Sequence, residues 1–212
     1  MRTHRVLVAL VVAIALVAGA SPSGARAGDL VDHLTVKGRA PKTGYAREQF
    51  GPAWSDVDRN GCDTRDDILN RDLTAKQWRA GTRGCVVIAG LLADPYTGQT
   101  IPFAKADASA VQIDHVVALS DAWQKGAATW SAPQRLAFAN DPLNLLAVDG
   151  PSNARKSDGD TATWLPPNKP YRCRFVARQV AVKAKWDLWV TAAERDAMAR
   201  VLARCPGQRA PE

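Results

Sequence analysis

Five residues between positions 113 and 160 have the types and order needed to cut a phosphodiester: Asp114, His115, Asn144, Asn153 and Lys156. Such a hydrolysis needs a base to take a proton from water, a cation to hold the phosphate, and a group that orients the base. His115 is the candidate base, because an unperturbed imidazole titrates at about 6.5. Of the other histidines, His4 lies in the N-terminal leader and His33 in an unpatterned front segment. Asp114 and Asn153 offer oxygen ligands with one negative charge between them. That set suits a hard cation such as Mg²⁺, with Mn²⁺ or Ca²⁺ as alternatives, which keeps waters and takes up substrate phosphate. Asn144 is expected to hold the His115 ring or the strand backbone. Lys156, one turn beyond Asn153, is expected to reach a phosphate oxygen, with Arg155 assisting.

Each residue also has a plain structural reading. A histidine beside an aspartate is most often structural, Asn144 follows the turn signal Asp141-Pro142, Asn153 could cap a helix, and Lys156 could be a solvated charge. The combination is what favours chemistry.

These residues must be positioned by two strands and a helix. Val111 to Leu119 is apolar around the Asp-His pair, so the strand directs neighbouring side chains to opposite faces. A helical insertion follows: Ser120 is expected to cap a helix over residues 121–125, and Ser131-Ala132-Pro133-Gln134 to start another. Leu143 to Val148 is a short apolar strand, and Asp149-Gly150-Pro151 breaks the chain before a helical turn over residues 152–156. The order is ββα. Upstream, residues 47–50 form a short helix and residues 63–73 a helix or tight turn. Thr74 to Gln77 resembles a capping box before Trp78. Residues 85–90 and 101–104, joined by Asp94-Pro95-Tyr96-Thr97-Gly98, predict a hairpin. Thr191 to Glu194 is a further capping box before a C-terminal helix containing Met198, Val201 and Leu202.

Residues 1–27 are expected to be a secretory signal and residues 28–212 one domain, with its core motif at 111–165. Arg2 and Arg5 precede an apolar run from Val6 to Val17, and small-residue sites follow at 18–20 and 25–27. The run is short for a bilayer span, which takes about 20 apolar residues. The formal charge is +7; without Arg2, Arg5 and Arg26 it is 25 basic against 21 acidic residues, or +4. That mild excess fits a polyanionic partner but also an ordinary surface.

Cys62, Cys85, Cys173 and Cys205 are even in number in a chain addressed to an oxidising compartment, so disulfides are expected. Three connectivities exist, and the spacing favours Cys62–Cys85 with Cys173–Cys205. Zinc is disfavoured, since no C-x-x-C pair occurs. The cluster Arg65, Asp66 and Asp67 is a candidate for the cleft, though a solvated or ion-paired face is favoured. Among the seven tryptophans, Trp123, Trp130, Trp164 and Trp186 sit in apolar patterns and are expected in the core.

Asp114-His115, Asn144, Asn153 and Lys156, with FANDPLNL, NARKSDGD and TWLPP around them, resemble the HNH endonucleases of the His-Me finger, ββα-metal class. In particular they resemble the secreted bacterial members related to the C-terminal domain of GmrSD-type restriction enzymes. The resemblance spans about residues 45–205 and departs from the plain pattern at Asn153, where many members carry a third histidine. It implies an α+β fold with a ββα-metal core inside one disulfide-stapled domain. It also implies a secreted, monomeric, metal-dependent endonuclease of low sequence specificity acting on DNA, with RNA as a second substrate. The competing class is a secreted binding protein that keeps the scaffold without turnover.

Overall fold

The computed structural model describes residues 24–212. Most of the expected leader lies outside these residues. Its last part pairs with the C-terminal segment: Ala27 N donates to Gln208 O and Ala210 N to Ala25 O. Among the described residues no helix is long and apolar enough to cross a membrane.

The site-bearing unit is a two-stranded antiparallel sheet of β4 (Val111–His115) and β5 (Leu145–Asp149) followed by α5 (Gly150–Lys156). His115 lies opposite Leu145 and Asp114 opposite Leu146. Both strands are buried along almost their whole length, β5 as an apolar run and β4 with Gln112, Asp114 and His115 beside its apolar Val111 and Ile113. Asp149 ends β5 and caps α5 by accepting from Ser152 N at 2.8 Å. Gly150 is required at this turn, because a Cβ there would sit 2.0 Å from Ser109 O. Between the strands run α3 (Leu119–Trp123) and α4 (Ala132–Ala139); α4 starts at Ser131 as the sequence predicts, closed there by a Ser131/Gln134 capping box.

Beside this unit, α2 (Thr64–Asp72) leads into an antiparallel sheet in the order β1 (Leu73–Trp78), β2 (Val87–Ala93) and β3 (Thr100–Ala104). The expected hairpin is β2–β3. Ile68, Leu69, Leu92 and Phe103 pack with Ile113, Leu145 and Ala147, so the two sheets share a core. On the other side α1 (Ala27–His33), α6 (Arg172–Lys185) and α7 (Ala192–Leu202) cover β5 and Val116 through Phe175, Val176, Val180 and Met198. A third cluster gathers Phe50, Trp123, Phe138 and Leu188. The result is one mixed α+β domain, stapled by disulfides Cys62–Cys85 and Cys173–Cys205. Trp123 is buried, and Trp130, Trp164 and Trp186 pack against core clusters as expected.

Several local expectations are corrected. Thr74 to Gln77 is strand β1 and not a helix start, because its pairing with β2 supplies the backbone partners a cap would have offered. Ser120 lies inside α3, whose N-cap is Ala118, and its hydroxyl donates to Asp158. At α7 Thr191 does accept from Glu194 N, but the Glu194 carboxylate turns inward to Lys125 at 2.5 Å and Lys183 at 3.0 Å. A buried carboxylate needs countercharges more than it needs a cap. Those two lysines also bind Asp121, and Lys125 binds Asp160. This buried charge network ties α3, α6, α7 and the chain after α5 together.

Candidate active site

A cleft of about 630 Å³ opens over β4 and α5, lined by Gln112, Asp114, His115, Asn153 and, from the front segment, Lys42, Arg47 and Trp54. Arg65 from α2 lines it too, so one member of the charge cluster faces the cleft. Asp66 instead is buried near Lys105, and Asp67 accepts from Asn60.

His115 is fixed on two sides. Its Nε2 lies 2.9 Å from Ala139 O, and a carbonyl can only accept, so Nε2 carries the hydrogen and Nδ1 keeps the lone pair. Trp54 stacks on the ring with centroids 6.1 Å apart and planes 13° apart. Burial holds the imidazole pKa down to about 3; Arg47 and Lys156 add to that and the Ala139 bond opposes it. The ring is therefore a neutral, oriented proton acceptor.

Asp114 sits beneath, with Oδ1 2.8 Å from Lys156 Nζ and Oδ2 accepting from the Tyr96 hydroxyl. Burial raises its pKa and the two partners oppose the rise. Burial likewise pushes Tyr96 well above the ordinary phenol value, and the Asp114 charge pushes it further.

Lys156 thereby departs from its expected role. Its side chain is fully buried, and Nζ donates to Asp114 Oδ1 and His115 O, both at 2.8 Å, rather than reaching the cleft as a phosphate contact. The reason is electrostatic: a carboxylate under β4 needs a buried cation, and position 156 at the end of α5 faces it. Arg155 is also placed elsewhere, with a side chain 62% exposed, bound to Ser152 Oγ and outside the cleft lining.

Asn144 is fully buried. Its Oδ1 accepts from Val117 N at 2.8 Å and its Nδ2 donates to Val117 O at 3.1 Å. Of the two expected partners, the ring and the strand backbone, Asn144 holds the second, as a clamp on the backbone just beyond His115. Asn153 is no cap, since Asp149 fills that place. Its Nδ2 donates to Gln112 Oε1 at 2.9 Å, which leaves the carbonyl Oδ1 as its acceptor in the cleft.

Among the described residues no three His, Cys, Asp or Glu side chains gather as a metal cage. Asp114 and Asn153 are still compatible with a hard cation that fills most of its shell with water and phosphate, because an ionised carboxylate offers about four lone-pair sites and Lys156 and Tyr96 occupy only two.

Sequence reasoning missed Lys42, Arg47, Trp54 and Tyr96. None lies in the 113–160 stretch, and no periodicity marks them; only the fold brings them to His115 and Asp114.

Fold and cleft define an α+β protein whose ββα unit opens on a basic groove. The chain belongs to the GmrSD restriction endonucleases, C-terminal domain family, whose model matches residues 63–201. That span carries β4, β5 and α5, while Lys42, Arg47 and Trp54 come from outside it. An uncharacterized secreted protein of Arthroderma benhamiae (strain ATCC MYA-4681 / CBS 112371) is 39% identical over 186 residues, which cover 87% of each chain. No solved structure matches.

Proposed function

We propose that this protein is an exported, monomeric HNH-class endonuclease that hydrolyses phosphodiester bonds of DNA, and of RNA as a second substrate, with low sequence specificity. The observation that carries the reading is His115, held as a neutral tautomer by Ala139 O at 2.9 Å in a cleft it shares with Asp114 and Asn153. Family membership and the Arthroderma relative's description as secreted support it.

In this reading Lys42, Arg47 and Arg65 draw the phosphate backbone into the cleft, and such contacts carry no sequence information. Asp114 and Asn153 would hold Mg²⁺, which would supply charge neutralisation at the scissile phosphate. His115 Nδ1 takes the proton from the attacking water. Ala139 O and Trp54 keep the ring facing that water, and Asn144 fixes the backbone behind it. Lys156 and Tyr96 hold the Asp114 carboxylate in place.

Degradation of plasmid and single-stranded DNA with Mg²⁺ and with EDTA tests this. The expected result is cleavage with metal, none with EDTA, and none with His115→Ala. Absence of cleavage with Mg²⁺, Mn²⁺ and Ca²⁺ alike would leave the non-catalytic binding protein, a reading to which the Lys156-neutralised Asp114 also conforms.

A further inference from the structure

Arg47 lines both the main cleft and a second cavity of about 190 Å³ beside His115, and it shares that double position with Trp54, Leu119 and His115 itself. The other cations of the region are committed. Lys42 Nζ is held by Asp158 Oδ2 at 3.2 Å and lies over the Tyr45 ring at 5.3 Å. The Arg65 guanidinium lies over Phe103, 5.9 Å from the ring centroid. Lys156 is buried against Asp114, and Arg155 is outside the cleft lining. Arg47 is exposed and, among the described residues, makes neither an ion pair nor a side-chain hydrogen bond. Its five N–H donors are therefore open to a ligand.

The stem that carries this guanidinium is anchored. Arg47 opens the short 3-10 helix Arg47–Phe50. Phe50 is 1% exposed and packs on Trp123 and Phe138, and Gln49 O accepts from Arg135 Nε at 2.7 Å. Gly51 ends the turn at φ 81°, where a Cβ would lie 2.8 Å from Leu136 Cδ1. Burial is the main cause of the low His115 pKa, and of the two cations that add to it Arg47 acts more strongly than Lys156. The Arg47 charge thus acts where the imidazole meets the attacking water.

In that attack the water oxygen bonds to phosphorus and the bond from phosphorus to the leaving oxygen breaks. His115 Nδ1 takes the proton of the water, and the leaving oxygen takes one from solvent. Negative charge grows on the non-bridging oxygens, and a cation aimed there beforehand lowers the barrier. Lys156 cannot serve, since its Nζ is spent on Asp114 Oδ1 and His115 O. We propose that Arg47 is a catalytic residue of this site, whose guanidinium binds a non-bridging oxygen of the scissile phosphate and stabilises the charge that grows there. This rests on the nuclease reading above and separates Arg47 from Lys42 and Arg65, which hold flanking phosphates.

The test is kcat and KM on single-stranded DNA with Mg²⁺, beside binding of a fluorescent oligonucleotide in EDTA and the melting temperature. Arg47→Ala should lower kcat by about 10²- to 10³-fold, the worth of one preorganised donor, while Kd in EDTA rises less than about 10-fold. Arg47→Lys, which keeps the charge and loses the planar fork, should fall between. Guanidinium chloride at a non-denaturing concentration should restore part of the kcat of Arg47→Ala and none of that of His115→Ala. Arg65→Ala should act mainly on KM and Kd. Because Arg47 bonds nothing, both of its variants should melt with the wild type. A wild-type kcat in Arg47→Ala, a loss confined to KM, or a loss with a lowered melting temperature and no guanidinium rescue overturns the assignment, while cleavage by the wild type still upholds the nuclease. No cleavage by the wild type with Mg²⁺, Mn²⁺ or Ca²⁺ overturns the nuclease reading itself, and the catalytic role of Arg47 with it.

Discussion

Lys156 Nζ lies 2.8 Å from Asp114 Oδ1 with the lysine fully buried and the carboxylate 5% exposed. Truncating one partner of such a pair strands the other charge, at a cost of about 3–5 kcal/mol. Lys156→Ala should therefore lower the melting temperature strongly, while the salt dependence of DNA binding by the folded fraction stays at the wild-type slope. A phosphate contact would behave the opposite way, with little loss of stability and a shallower slope. Thermal unfolding together with a salt titration separates the two.

His115→Ala should cut the rate of cleavage by roughly 10²- to 10⁴-fold and leave DNA affinity nearly intact. Measured kcat on plasmid beside binding in EDTA checks this. A wild-type rate in the variant would move the base to another residue.

The same imidazole makes stability depend on pH. Its folded pKa is lowered from 6.5 to about 3 by burial, so between those values the unfolded chain binds a proton that the folded chain refuses. A depressed folded value means that the contribution is present above pH 6.5 and is lost as pH falls toward 3. In metal-free buffer the wild type should lose about 1.4 kcal/mol per pH unit more than His115→Phe across that window. Parallel slopes for the two proteins would mean that the imidazole titrates near its ordinary value.

Both disulfides should be quantitative in the exported protein. Cys62–Cys85 fastens the loop that precedes α2 to the start of β2, and Cys173–Cys205 joins α6 to the end of α7. Thiol titration in denaturant without reductant should find none free. Reduction should lower stability by on the order of 2–4 kcal/mol per bond. Two titratable thiols per chain would contradict the pairing.

The parts of this fold legible in the sequence are those set by short-range rules. Ser131 and Gln134 announce α4 because the capping box is complete within four residues, and β4, β5 and α5 follow from two apolar runs and a glycine-proline break. What was not legible depends on distant partners. Glu194 abandons its cap for Lys125 and Lys183. Lys156 turns inward because Asp114 is buried, and a lysine at that spacing looks the same whether it meets a phosphate or a carboxylate. α6, the longest helix among the described residues, escaped notice because Gln179 and Lys183 interrupt its buried apolar face. Trp54 reaches His115 across 61 positions, a contact no local pattern encodes.

Asp149 and Asn153 share one short helix but should fail differently. Asp149 accepts from Ser152 N and caps α5, so Asp149→Ala should cost about 1 kcal/mol of stability and leave the metal requirement of the folded enzyme unchanged. Asn153 caps nothing; its amide is aimed by Gln112 and its carbonyl lies in the cleft. Asn153→Ala should therefore melt close to the wild type, yet need a higher Mg²⁺ concentration for half-maximal cleavage, with activity partly restored by excess metal. Asp114→Ala should lose activity at every Mg²⁺ concentration. Activity against Mg²⁺ for the three variants, alongside their melting temperatures, decides the assignment, and an ordinary metal titration for Asn153→Ala would take that residue out of the site.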